Sequence, residues 1–343
     1  MKGLSQIIVF AFVVFVISIS TVPAHAIGKN GTVAITIKPA VTSDTKKVDL
    51  WIPYPLSNGA QKITDMNIAG NYEASAIYRD DTSEAVFVHA GWDVVKAQPE
   101  MTMRFHIDQQ SRKVAGLKDA GLPIPAPIRE RYLQSTLEVP ADAFTQQAAE
   151  IVAGKKTLLE KARAVYDWTV DHTVRDPNVK GCGLAKPGRT LLECNGGGKC
   201  ADISAVFVTM ARAAGIPARD VYGLRLGSPK NGDITSGFHC WAEFYLPGTG
   251  WVPVDPADVR KMMLVHDLKL GDKATKEWRE FFWGGDDLFR VTLNKGSRGV
   301  VLTPAQKGAP INYFMYPFAQ VDGATLNYFD PAVFTYSVTY TAD

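Results

Sequence analysis

The spacing of apolar positions changes character along the chain. Between residues 30 and 110 the period is two. Val33, Ile35 and Ile37 alternate with Ala34 and Thr36, and Met103, Phe105 and Ile107 alternate again further on. Val48 to Ile52 and Ala85 to His89 are short β-branched or aromatic runs, and Asn58-Gly59 and Gly70-Asn71 supply turn chemistry between such segments. This predicts a small sheet or sandwich with one buried face. His89 and His106 sit inside strand patterns, where a structural role is expected of both. Residues 111–140 carry Pro123, Pro125, Pro127 and Pro140 and read as a connection.

Beyond that connection the period lengthens to about four. Thr157 with Glu160 forms a capping box, and Leu158, Ala162, Val165, Tyr166 and Thr169 mark one helical face. Residues 174–199 hold many glycines and no clear period, which predicts a long loop. A second helix follows from Cys200 to Ala214, with Ile203, Val206, Phe207, Met210 and Ala214 on one side. Gly215 stands at its C-cap and Pro217 prevents continuation. Strands are predicted at 219–226, 239–246 and 251–254, the last two turned into a hairpin by Pro247-Gly248-Thr249-Gly250. Residues 261–333 show no clean pattern. At the end Phe334, Tyr336, Val338 and Tyr340 alternate with Thr335, Ser337, Thr339 and Thr341, which predicts a strand whose aromatic face packs on the N-terminal β-rich region.

The first 26 residues read as a signal peptide. Lys2 precedes an apolar run from Ile7 to Ile19, and Ala24-His25-Ala26 offers a cleavage site. The expected organisation is 1–26 signal peptide, 27–110 β-rich domain, 111–140 linker, 141–260 catalytic domain and 261–343 extension ending in a strand. No later segment is apolar for long enough to span a bilayer, so a periplasmic or secreted protein is expected. The net charge of +2 on 343 residues, one lower without Lys2, comes with no basic block and argues against a nucleic-acid partner.

Four cysteines give the candidate chemistry. Cys200 opens its helix directly after Gly196-Gly197-Gly198-Lys199, where the positive end of the helix dipole and unpaired N–H groups favour a thiolate. The three glycines leave room for a substrate backbone to approach. His239 begins one strand of the hairpin and Asp255 ends the other, so both fall at the same end of the ribbon. That is the arrangement of a nucleophile, its base and the carboxylate orienting the base. Alternation turns Cys240 to the opposite side from His239, Trp241 and Glu243, as core filling. A zinc site of Cys182, Cys194, Cys200 and His239 fits no usual ligand spacing, and no metal or other cofactor is expected. In an oxidising compartment Cys182 and Cys194 would pair, leaving Cys200 free.

Gly-Lys-Cys200-Ala-Asp-Ile-Ser, continuing to Ala-Ala-Gly215-Ile-Pro-Ala-Arg219-Asp-Val-Tyr-Gly223, resembles the cysteine helix and next strand of the transglutaminase-like superfamily. His239-Cys-Trp-Ala-Glu-Phe-Tyr-Leu-Pro-Gly-Thr-Gly-Trp251-Val-Pro-Val-Asp255-Pro resembles its histidine and aspartate strands. The resemblance covers residues 157–260, roughly a third of the chain, and departs at Ala257, where the family usually has Thr or Ser. It implies a papain-like α+β fold in which the cysteine helix packs on an antiparallel sheet. It further implies a Cys200-His239-Asp255 triad that attacks amides through a thioester. The backbone N–H of Cys200 would be one oxyanion donor, and nearby Asn195 is the candidate for the second. A protein or peptide substrate is expected, cell-wall peptide among the options, with hydrolysis favoured over cross-linking because no second acceptor site is visible. The alternatives are a cross-linking transglutaminase and a non-catalytic binding or scaffold module of the same fold.

Overall fold

The computed structural model describes residues 29–109, 113–227, 231–285 and 290–343. The expected signal peptide lies outside them. The first part of the chain forms strands β1 (Lys29–Pro39), β2 (Val48–Pro53), β3 (Gln61–Gly70), β4 (Ala74–Arg79), β5 (Val86–Trp92) and β6 (Met101–Gln109). Then come helices α1 (Ala126–Tyr132), α2 (Thr145–Ile151) and α3 (Leu158–His172), the short strands β7 (Val174–Arg175) and β8 (Gly197–Gly198), and helix α4 (Cys200–Ala213). Strands β9 (Ala218–Arg225), β10 (Asn231–Asp233), β11 (Phe238–Leu246) and β12 (Gly250–Val254) precede helices α5 (Pro256–Val265) and α6 (Lys273–Phe281). The chain closes with β13 (Arg290–Gly296), β14 (Phe318–Val321), β15 (Ala324–Thr325) and β16 (Phe334–Ala342).

Two sheets form a sandwich, one ordered β10-β16-β1-β6-β3 and the other β15-β14-β2-β5-β4. The alternation in β1 and β6 sends Val33, Ile35, Ile37, Met103, Phe105 and Ile107 inward, against Val48, Leu50, Ile52, Val88 and Ala90 of the facing sheet. Strand β16 pairs antiparallel with β1 from Gly31↔Ala342 to Pro39↔Phe334. Phe334, Val338 and Tyr340 are buried in the same core, as the aromatic face of that strand requires. Strands β3 and β4 are not apparent in the sequence. In β3 a bulge between Thr64 and Asn67, with Asp65 at φ 51°, breaks the alternation, and the solvent-facing edge carries little apolar signal.

A third sheet, β12-β11-β9-β13, carries the helices. Thr157 and Glu160 make the expected capping box at α3. Helix α4 starts at Cys200 as expected, but it is buried on every side rather than on one face, from Cys200 to Arg212. It lies in the centre, with α2, α3 and α5 around it and β9 and β11 against it, so no side meets water. The architecture is α+β, a helix on an antiparallel sheet beside a β-sandwich. Among the described residues no helix is long and apolar enough to cross a membrane.

Candidate active site

Asp202, in the first turn of α4, fastens the loop that leads into the helix. Its carboxylate accepts from the backbone N–H of Lys199 (3.0 Å), Leu184 (2.8 Å) and Ala185 (3.0 Å). Gly183 and Gly198 wrap this carboxylate so closely that a Cβ would stand 1.9 Å and 2.5 Å from Asp202 atoms, and one on Gly196 would stand 2.2 Å from the His172 carbonyl. At Gly196 and Gly198 the glycines therefore serve packing of the protein on itself, not approach of a substrate as the sequence suggested. Asn195 is exposed with φ 47°, in the turn before β8.

Cys200 is 2% exposed. Burial alone would raise its pKa. Hydrogen bonds from Cys182, Cys240 and His239, together with the imidazole charge, outweigh burial and hold the thiol well below its ordinary value. Its place at the helix start acts in the same direction. His239 donates from Nε2 to Asp255 Oδ2 at 2.7 Å, and both are buried. The bond leaves the other ring nitrogen for the thiol. Asp255 directly follows β12 and caps α5, its second oxygen accepting from the Asp258 N–H at 2.8 Å. The hairpin register, Ala242↔Val254, brings the start of β11 and the end of β12 together as the spacing required.

Three charged residues join this pair that sequence reasoning missed. Arg290 reaches from β13 to Asp255 Oδ2 (2.7 Å) and Asp258 Oδ2 (2.9 Å). Arg225 pairs with Asp258, whose carboxylate is 3.7 Å from His239 Nε2. Two guanidiniums thus balance two buried carboxylates. Burial and Arg225 pull the imidazole pKa down, Asp258 and Asp255 pull it up, and the net shift is upward. Burial opposes ionisation of Asp258, but His239 and the two arginines hold its carboxyl far below the usual carboxylate range. The Asp255-Pro-Ala-Asp258 spacing, an N-cap with its N3 residue, was the one local signal for Asp258. The arginines come from distant strands.

The sulfur atoms of Cys182, Cys200 and Cys240 lie within 4.8 Å of one another. This corrects the expected Cys182–Cys194 bridge: all four cysteines are free, and Cys182 is buried beside Cys200 while Cys194 is partly exposed. The cause is local, since the Cys182 carbonyl accepts from the Ala201 N–H at 2.8 Å, which ties residue 182 to the start of α4. Cys240 faces away from Trp241, as alternation requires, and that face is the one under the thiol. Aromatic residues of the C-terminal segment cover the cluster. Tyr313 donates to the Gly183 carbonyl at 2.6 Å, and the Tyr316 ring is 4.9 Å from Tyr328, 5.0 Å from Phe329 and 4.7 Å from Phe238. A cavity of about 760 Å³ beside Tyr132, Arg219 and Trp251, and one of about 240 Å³ beside Trp241 and Arg290, are lined by none of Cys200, His239 or Asp255.

Fold and site together define an α+β protein of papain-like architecture. The family model described as the transglutaminase-like superfamily core matches residues 145–256. An uncharacterised protein of Haemophilus influenzae is 33% identical over 315 residues, covering 84% of this chain and 85% of the relative. Protein YebA of Bacillus subtilis is 40% identical over 68 residues, covering 17% of this chain and 9% of YebA. The crystal structure of a candidate cysteine protease from Cytophaga hutchinsonii has a TM-score of 0.53 at 16% identity, covering 92% of this chain and 98% of its own, a likeness of fold. The chain belongs to the transglutaminase-like superfamily.

Proposed function

We propose that the protein is a thiol-dependent acyl-transfer enzyme acting on peptide or glutamine-type amides, with Cys200 as nucleophile, His239 as base and acid, and Asp255 as orienter. The observation that carries the reading is the buried His239–Asp255 bond beside a thiol held low in pKa. In this mechanism the Cys200 thiolate attacks the amide carbon, and the negative charge moves to the carbonyl oxygen. The N–H of Cys200 at the helix start receives that oxyanion. The imidazolium gives its proton to the departing amine as the C–N bond breaks, leaving a thioester. His239 then takes a proton from water, whose oxygen attacks the thioester and releases acid and thiol.

Hydrolysis is favoured over cross-linking because the sequence shows no second acceptor site for an amine. The expected substrate is a protein or peptide of the periplasm or exterior, cell-wall peptide included, which fits the apolar start of the sequence. Purified protein screened against peptide amides, with and without a primary amine, tests the reading. Acid and ammonia or amine release unaffected by the added amine is expected. Incorporation of the amine would favour cross-linking, and no turnover that depends on Cys200 would favour a binding module.

A further inference from the structure

Two thiols lie next to the reactive one, and acyl transfer uses neither. Cys182 belongs to a turn between Gly181 (φ 52°) and Gly183 (φ 99°), outside any paired strand. Its carbonyl is bonded to the residue after Cys200, so the two cysteines are backbone neighbours across 18 positions of sequence. Its thiol has only a long contact of 3.5 Å to the Phe238 carbonyl as a bond to the backbone. Cys240 is fixed differently, in the middle of β11 and paired across to Tyr222 of β9. Of the two, Cys182 lies outside the strand ladders, in a turn that holds its sulfur within 4.8 Å of Cys200.

We propose that Cys200 is a peroxide-sensitive modification site and that Cys182 is its resolving thiol, the two closing into a reversible disulfide that protects the nucleophile from irreversible oxidation. The inference rests on the reading of Cys200 as a thiolate nucleophile. In the first step Cys200 attacks one oxygen of hydrogen peroxide. An S–O bond forms, the O–O bond breaks, and hydroxide leaves as water with a proton from the medium. Cys200 is then a sulfenic acid. In the second step Cys182 attacks the Cys200 sulfur. The S–S bond forms, the S–O bond breaks, and the oxygen leaves as water with the Cys182 proton. Two thiols are oxidised and one peroxide is reduced to two waters.

The electrostatics favour Cys182 over Cys240 for the second step. The hydrogen bond to Cys200 is the largest cause keeping the Cys182 thiol protonated, with the third thiol acting against it. Conversion of Cys200 to a neutral sulfenic acid removes the largest cause holding Cys182 protonated and leaves burial as a smaller one. Cys240 is held protonated chiefly by burial, which oxidation of its neighbour leaves in place. A metal ion on the three sulfurs is a competing use of the cluster. The described residues put no fourth protein ligand within the same 4.8 Å, as a closed structural zinc site would require.

The test treats full-length protein with hydrogen peroxide, then denatures it in an alkylating agent and maps cysteine-containing peptides by mass with and without dithiothreitol. A Cys182–Cys200 linked peptide is expected, with dithiothreitol returning Cys200 to within about a tenth of its untreated level. In Cys182→Ser and Cys182→Ala, Cys200 should gain two oxygens that dithiothreitol does not remove. In Cys240→Ser the linked peptide should persist. Over-oxidised Cys200 in the natural protein, or a bridge from Cys200 to Cys240, overturns the inference alone. Cys200 that stays reduced while the more exposed Cys194 oxidises overturns it together with the nucleophile reading.

Discussion

Substitution of Asp258 by Asn probes the charge balance behind the candidate triad. Asp258 accepts from Arg290 at 2.9 Å and pairs with Arg225, and its side chain is 2% exposed. The amide keeps the volume but leaves two guanidiniums facing one carboxylate. Breaking a buried pair by removing one partner costs about 3–5 kcal/mol. The Arg225 side chain is 21% exposed and can turn to water, so the lower end, about 3 kcal/mol, is expected. At about 2–4 °C per kcal/mol the melting temperature should fall by about 6 °C or more. The carboxyl is held low in the folded state, so its stabilisation is present above the ordinary carboxylate range and lost as pH falls below it. The two proteins should therefore converge in acid. Asp258 also helps raise the imidazole pKa against burial and Arg225, so in the variant His239 should lose its proton at lower pH. Urea denaturation across pH, together with the pH profile of Cys200 alkylation, measures both effects. A stability loss below about 1 kcal/mol at neutral pH, or an alkaline limb that does not move, would refute the reasoning.

Deleting residues 334–343 removes the strand joining the chain's ends and exposes the surfaces that bury Phe334, Val338 and Tyr340, at about 5–9 kcal/mol in side-chain burial. Amide exchange in residues 29–109 should accelerate, and unchanged protection there would contradict the packing. Tyr316→Ala should loosen the aromatic cover by about 1–2 kcal/mol and speed alkylation of Cys200 about 5–30-fold; an unchanged rate would mean that the thiol is reached by another path. In the natural protein alkylation should rise with pH through the lowered Cys200 pKa and change again above the ordinary histidine range, where the raised imidazole pKa lies. A single limb near the ordinary thiol pKa would sink the ion pair.

The elements with a local signal were legible in the sequence. A capping box fixes the start of α3, a glycine and a proline end α4, and a four-residue turn sets the hairpin that aligns His239 with Asp255. The aromatic alternation of β16 called for a buried partner, which β1 supplies. What stayed hidden depends on contacts distant in sequence. Arg290 and Arg225 reach Asp258 from other strands, and nothing near either marks it as a counter-ion. Cys182 looked like a partner for Cys194 because the two share a loop. Its pairing with α4 is set by one backbone bond to Ala201 that no periodicity announces. The glycines before Cys200 read as space for a ligand, whereas Gly198 is filled by Asp202 and Gly196 by a backbone carbonyl.

The central claim is that Cys200 carries an acyl group with His239 as its base. It is tested most directly with p-nitrophenyl acetate, a small activated ester that needs no knowledge of the natural substrate. Nitrophenolate release is followed in the first turnover, and the acetylated residue is located by mass mapping after an acid quench. The account predicts a burst that leaves acetyl on Cys200, absent in Cys200→Ala and slowed about 10²–10⁴-fold in His239→Ala. Acetylation spread over lysines and the other cysteines, or a burst unchanged in Cys200→Ala, would contradict it.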